Sequence, residues 1–235
     1  MSADSAIQIE SLVKHFPMGG SVVEALKGVN LALGAGEFAG LVGPSGSGKT
    51  TLLNIIGGLD SPTQGSVRVL GEDLANKTHK QLADLRKEHI GFIFQTFNLL
   101  PVYTVFENVE FPLLLLNRTN GERQKAVDEA LERVGLSHKT KARPATLSGG
   151  ESQRVAIARA IVKQPSIILA DEPTANLDAE NSHNIMRILV ELNEDNSTSF
   201  LFSTHDEKVM AYLRRTIHLV DGNITSDEVT TPSAP

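Results

Sequence analysis

The sequence predicts an α/β fold, and three observations carry the prediction. Short apolar runs of strand length alternate with stretches whose apolar residues recur at helical spacing. A glycine-rich, phosphate-loop pattern falls between one such run and a helix. From residue 96 to 159 the alternation gives way to helical periodicity, so a helical segment is inserted into an α/β core of about residues 1–95 and 160–222. On this reading residues 1–235 form one domain, with 223–235 as a flexible tail.

Each element follows from its pattern. Residues 7–13 (IQIESLV) and 29–33 (VNLAL) alternate like strands, and 37–42 (EFAGLV) is a short apolar run ending at Gly43. Residues 50–56 read as a helix, then 66–70 (SVRVL) and 90–94 (IGFIF) as strands, with turn residues at 61–65 (SPTQG). In the inserted segment Ala126, Val127, Ala130, Leu131 and Val134 share one helix face, and Gly135 supplies the stop. The α/β alternation resumes with 166–170 (SIILA), a helix carrying Ile185, Ile188, Leu189 and Leu192, then 199–202 (SFLF) and 216–220 (TIHLV).

Composition excludes several function classes. Lys and Arg number 22 against 28 Asp and Glu, a net charge of −6, which argues against sequence-independent nucleic-acid binding. Without cysteine there is no disulfide framework, thiolate nucleophile or Cys-ligated metal, as suits the cytoplasm. The N-terminus has neither the basic nor the apolar region of a secretory signal. The run 111–116 is far shorter than the roughly 20 residues of a spanning helix. A role at a membrane therefore needs another chain to hold this one there.

The chemistry gathers at strand ends. Gly43, Pro44, Ser45, Gly46, Ser47, Gly48, Lys49 and Thr50 fit G-x-x-x-x-G-K-[ST]. The glycines let successive N–H groups converge on phosphate oxygens, and the following helix adds its positive end. Lys49 then neutralises the β and γ phosphates, the Thr50 hydroxyl ligates Mg²⁺, and Thr51 completes the set. The apolar residues 167–170 place Asp171 and Glu172 beside this cradle, Asp171 to hold Mg²⁺ through its hydration shell and Glu172 to polarise the attacking water. His205, past the strand 199–202, is either a donor to the γ-phosphate or an exposed histidine; position alone leaves both open. Residues 147–151 (LSGGE) open another helix, either as a second anion site or as a capping box of Ser148 and Glu151.

Together these motifs resemble, in kind and in order and over nearly the whole chain, the nucleotide-binding subunit of an ABC transporter. The resemblance implies a P-loop NTPase with a RecA-like core, a β-rich N-terminal part and an inserted helical subdomain. It makes 43–50 the Walker A loop, 167–171 the Walker B strand with Glu172 as catalytic carboxylate, and 147–151 the signature motif. It makes Gln95 the Q-loop glutamine that senses Mg²⁺ and water, 175–178 (ANLD) the D-loop with Asp178, and His205 the switch histidine. It also implies an ATP-dependent head-to-tail homodimer, in which Ser148, Gly149, Gly150 and Glu151 of one copy close over ATP held by Lys49 of the other. Glu151 stands where the family more often has Gln. Phe16 takes the place of an adenine-stacking Tyr, keeping the π-face without the hydroxyl, unless it packs as a core residue at a strand end.

Residues 54–60 (NIIGGLD), 95–101, 104–109 and 171–178 look most like the MacB/LolD/FtsE branch. That branch implies a peripheral subunit on the cytoplasmic face of the inner membrane, driving an integral permease of FtsX/MacB or LolC/LolE type for export or force transmission. The alternatives are a soluble ABC ATPase, as in iron-sulfur assembly, and a nucleotide sensor without turnover, against which Glu172 and His205 both argue. Phe97, Leu99, Leu100, Val102 and Phe106 either form a groove for a short cytoplasmic helix of a permease or pack only the helical insertion.

Overall fold

The computed structural model describes residues 5–19 and 21–233. The chain opens with a hairpin of β1 (Ser5–Met18) and β2 (Ser21–Gly34), longer than the two alternating runs that announced it. In β2 Val29, Leu31 and Leu33 point inward while Asn30 and Ala32 do not, the period-2 pattern of a strand with one buried face. The apolar β3 (Phe38–Val42) follows, buried throughout, and runs into the phosphate loop and α1 (Lys49–Ile56). Next come β4 (Gln64–Val69), the two-residue β5 (Glu72–Asp73), α2 (His79–His89) and β6 (Ile90–Ile93). The helix α2 is not among the sequence expectations. It buries only Leu82 and Leu85 and is started by a capping box of Thr78 and Gln81.

The inserted segment supplies α3 (Val105–Leu114), α4 (Asn120–Arg133) and α5 (Gly149–Ile161), each opened by a Ser/Thr–Glu capping box. The chain then adds β7 (Ile167–Asp171), α6 (Ala179–Asn196), β8 (Ser199–Thr204), the short α7 (Glu207–Met210), β9 (Arg215–Val220) and β10 (Asn223–Val229). β10 corrects the expected tail: residues 223–229 pair antiparallel with β9, and Arg215 fixes the pair by a bidentate bond to Asp227 at 2.8 and 2.7 Å. Alternation in this strand is masked by its polar residues, so only pairing reveals it.

Two sheets result. One is antiparallel in the order β2-β1-β4-β5; the other runs β10-β9-β3-β8-β7-β6, parallel from β9 to β6. The central strands β3 and β8 are covered on both faces, which explains the apolar runs 38–42 and 200–202. The helical segment has no core of its own. Val105, Val109, Val127, Leu131 and Val155 belong to one apolar cluster with Phe38, Phe200, Phe202 and Leu189, on one face of the large sheet. A second cluster on the other face joins that sheet to the N-terminal one through α1. All the parallel strands thus end on the same side, where an open α/β sheet offers a ligand crevice.

Candidate active site

At the C-terminal ends of β3, β7 and β8 lies a cavity of about 280 Å³. It is lined by Ser45, Gly46, Gly48, Lys49, Thr50, Thr51, Gln95, Glu172 and His205, nine of the residues that the sequence singled out. Ala25 and Ser203 also line it and were missed. Ser203 carried a usable signal, since it stands on the same polar strand end as His205; Ala25 carried none.

The loop geometry explains its glycines. Gly46 and Gly48 have φ of +80° and +105°, the left-handed region where a side chain is strained. A Cβ on Gly43 would run into the Leu219 carbonyl, and one on Gly48 would sit 2.7 Å from the Ala25 carbonyl. The turn between β9 and β10 buttresses this loop: Gly222 donates its amide to the Ser47 carbonyl at 3.1 Å, and Lys27 donates to the Gly222 carbonyl at 2.9 Å. Ser47 itself is buried, with its hydroxyl unpartnered among the described residues, and it lies with Gly43 and Pro44 in the body of the loop rather than on the cavity wall.

Lys49 is 6% exposed and donates to the carbonyls of Gly43 at 2.7 Å and Pro44 at 3.0 Å. An ammonium has three donors, so one is left for a ligand. Thr50 donates its hydroxyl toward both oxygens of Asp171, at 3.1 and 3.0 Å. A hydroxyl and a carboxylate this close make an all-oxygen donor set with room for water and phosphate, which fits a hard cation such as Mg²⁺.

Glu172 has φ of +47°, uncommon for a non-glycine residue, and its amide donates to the Ser203 carbonyl at 2.9 Å. This kink at the end of β7 brings Oε1 to 2.6 Å from Nδ1 of His205, whose side chain is 64% exposed. With Glu172 ionised, the proton of that contact resides on Nδ1.

The signature residues lie elsewhere. Ser148, Gly149, Gly150 and Glu151 line no part of the cavity and open α5 at the D-loop, where Gly149 lies near Asn176 and Leu177 and Gly150 packs on the Asn181 side chain. Asp178 caps α6 by accepting from the Asn181 amide at 2.8 Å and its side chain at 2.9 Å, bonds that hold its carboxyl below the usual range. Both oxygens of Glu151 are engaged, one by the Ser148 amide at 2.9 Å and one by Lys139 at 3.0 Å, and these bonds hold its carboxyl low. The capping-box reading of Ser148 and Glu151 is therefore realised, and Glu151 has little left to offer a nucleotide.

Three side chains tie these parts together. Asn176 donates to the Gln95 carbonyl at 2.8 Å, and the buried Gln153 of α5 donates to the Pro173 carbonyl at 2.6 Å. Arg159, farther along α5, donates to the carbonyls of Phe97 and Asn98, two residues held at positive φ just after Gln95. Of the apolar residues beyond Gln95, Leu99 and Phe106 pack against the core, Leu100 lines a separate groove, and Val102 is exposed. Phe16 is 39% exposed and lines no part of the cavity. It pairs across the hairpin with Val23, two residues before Ala25, which the register of the hairpin skips, and the Lys14 ammonium lies 4.8 Å from its ring centre.

The ABC transporter family model matches residues 26–175, from within β2 to the turn after β7. The chain belongs to the ABC transporter family. This cassette is 44% identical to the lipoprotein-releasing system ATP-binding protein LolD of Geobacter metallireducens, over 95% of this chain and 99% of that protein. It is 42% identical to the macrolide export ATP-binding/permease protein MacB of Rhodopseudomonas palustris, of which it spans 35%. A solved dimeric ATP-binding cassette, in a post-hydrolysis state bound to ADP and Pi, superposes with a TM-score of 0.89 at 42% identity, covering 95% of this chain and 98% of that one. The cassette is thus an ATP-binding, ATP-hydrolysing subunit with the ABC ATPase fold expected from its motifs. Among the described residues no helix is long and apolar enough to cross a membrane.

Proposed function

We propose that the cassette hydrolyses ATP to ADP and phosphate as a head-to-tail homodimer, and that the cycle drives an integral membrane permease of FtsX/MacB or LolC/LolE type from the cytoplasmic face of the inner membrane. One observation carries this reading: a single chain has a cavity with phosphate-loop, carboxylate and histidine groups, while its second anion-binding helix start, at Ser148 and Gly149, stands outside that cavity. A second copy, turned about a two-fold axis, brings that helix start to the first copy's nucleotide. The Ser148 oxygen accepts the Glu151 amide at 3.2 Å and its hydroxyl bonds the Glu151 carboxylate, a contact it exchanges for a phosphate oxygen when the nucleotide arrives. The relatives support a transport role over a soluble assembly one, since one belongs to a lipoprotein-releasing system and the other joins its ATP-binding part to a permease.

In this mechanism the loop amides and Lys49 hold the β and γ phosphates, and the α1 dipole adds to them. Thr50 and Asp171 would hold Mg²⁺, with Gln95 nearby, and the ion would neutralise charge on the transferring phosphoryl group. Glu172 takes up the proton side of the attacking water, and its contact with His205 fixes where the carboxylate points. His205, once turned toward the nucleotide, donates to the γ-phosphate. Phe16 offers its ring to adenine at the open side of the hairpin. Catalysis is positioning and electrostatics, completed only when the partner copy's Ser148 and glycine amides arrive.

The decisive experiment is Glu172→Gln. It keeps the hydrogen-bonding shape and removes the base, so nucleotide affinity stays within a few-fold while turnover falls roughly 10²–10⁴-fold. With ATP the variant accumulates as a dimer in size-exclusion chromatography with light scattering. A variant that hydrolyses ATP at a near-normal rate, or remains monomeric with saturating ATP, refutes the reading.

A further inference from the structure

Ser203, near the C-terminal end of β8, is fully buried, and its hydroxyl has no hydrogen-bond partner among the described residues. Sheet register shows on which side that hydroxyl lies. Ser203 pairs in parallel with Leu41 of β3 on one edge and with Asp171 of β7 on the other. Side chains along a strand alternate between the two faces of a sheet. Phe200 and Phe202 belong to the cluster that holds the inserted helices, and Leu201 belongs to the cluster that holds α1, so Ser203 faces α1. Asp171 follows Leu169 by two residues onto that same face, where it meets Thr50 in the first turn of α1. Ser203 and Asp171 thus stand side by side, on strands about 4.8 Å apart.

A hydroxyl carries one donor and two acceptor lone pairs, and burying them unused costs free energy. The neighbours of Ser203 on this face, Leu41 beside it and Leu201 behind it, are apolar and offer it nothing. Thr204, the next residue, faces the other way and has its oxygen engaged by the Asp206 amide at 3.0 Å. Ser203, by contrast, belongs to the wall of the nucleotide cavity. Rotation about one side-chain bond moves its oxygen among three staggered positions, so it can meet a small molecule in the cavity without a main-chain shift. Its carbonyl already accepts the Glu172 amide at 2.9 Å. One residue therefore stands against both carboxylates at the end of β7, with its carbonyl on Glu172 and its hydroxyl on the side of Asp171.

We propose that Ser203 is a positioning residue of the cation site, its hydroxyl holding a water of the Mg²⁺ shell that Asp171 also holds. A water bridges two groups by donating one proton to each, here to the Asp171 carboxylate and to the Ser203 oxygen. Outer contacts of this kind fix the orientation of what touches the ion, and their loss weakens metal binding. The assignment rests on the reading that Thr50 and Asp171 hold Mg²⁺, and it gives Asp171 a second group to share that task. Without the hydroxyl the water is tied on one side only, while the grip of the phosphate loop on the nucleotide is untouched.

The test titrates Mg²⁺ into the full chain saturated with AMP-PNP, an ATP analogue that is not hydrolysed, and reads the midpoint of the rise in melting temperature. The nucleotide's own affinity for the ion is common to all variants. In Ser203→Ala the midpoint moves to about fivefold higher Mg²⁺, which corresponds to about 1 kcal/mol. Ser203→Cys, similar in size but a weak donor and acceptor, moves it in the same direction, and the chain has no other cysteine to pair with the new one. Neither variant lowers the melting temperature without ligand, because the hydroxyl removed has no partner to lose, and neither changes AMP-PNP affinity in EDTA by more than twofold. A purely structural serine does the reverse, lowering the unliganded melting temperature and leaving the midpoint in place. Equal midpoints in wild type and Ser203→Ala, a wild-type midpoint in Ser203→Cys, or a loss of affinity already present in EDTA overturns the proposal. A wild-type chain that does not respond to Mg²⁺ overturns the cation site at Thr50 and Asp171 together with it, whereas a responsive wild type with an unmoved Ser203→Ala midpoint counts against this inference alone.

Discussion

The phosphate loop and the signature helix both open helices with aligned N–H groups, yet their surroundings differ. Around Lys49 the groups converge: Thr50 meets Asp171, Glu172 meets His205, and Gln95 closes the same cavity. Around Ser148 the polar groups turn inward to one another, with Ser148 and Glu151 bonded reciprocally and Lys139 taking the remaining carboxylate oxygen. The first region is assembled for a ligand, and the second is stable by itself and faces none. A helix start that needs no ligand for its stability can be carried to a nucleotide held by another copy and withdrawn again without unfolding.

The strongest way to break that contrast is a mixing experiment. Lys49→Ala disables the first region and Ser148→Arg the second, so each variant alone loses about 10²-fold or more in turnover. Mixed in equal amounts, they form heterodimers with one intact composite site, and turnover recovers to about a quarter of wild type if the sites act independently. No recovery would mean that each chain uses its own serine. A smaller effect separates the two signature glycines. A Cβ on Gly150 collides with the Asn181 side chain, so Gly150→Ala should cost about 1–3 kcal/mol in chemical denaturation, while Gly149→Ala, whose nearest neighbours lie at 3.6 and 3.7 Å, changes helix stability little.

Away from both regions, Lys163 gives a pH signature. Burial pushes its ammonium from the ordinary 10.5 down to about 8, so between those values the unfolded chain holds a proton that the native chain has released. Unfolding free energy therefore rises with pH across that window, and Lys163→Gln flattens the rise, as measured by urea titrations at pH 7.5 and 9.5. The smallest effect is at the hairpin: Phe16→Ala should weaken ATP binding by roughly 0.5–1.5 kcal/mol without changing turnover at saturation. An unchanged affinity would leave Phe16 as a strand-end residue of β1.

Much of this was legible in the residue order. The glycine spacing of 43–50, the apolar run before Asp171 and the capping pattern at Ser148 are local signals, because the chemistry they serve depends on neighbours in sequence. Helix α2 was not legible, since it buries only Leu82 and Leu85 and its other residues are polar. β10 was hidden for the same reason, its place being fixed by pairing with β9 and by Arg215 rather than by apolar alternation. The groove that Leu100 lines beside β6 draws on segments more than 70 residues apart, from Arg86 to Lys163, so no window of sequence shows it.

The bond from Gly222 to Ser47 joins the first functional loop to be synthesised to nearly the last folded turn. A growing chain that has emitted residues 43–50 still lacks the prop beneath them, so the loop stays incomplete through most of translation and matures only when the β9–β10 turn arrives. A protein shortened before residue 222 would keep every motif of its nucleotide chemistry and lose the strut on which the first of them rests.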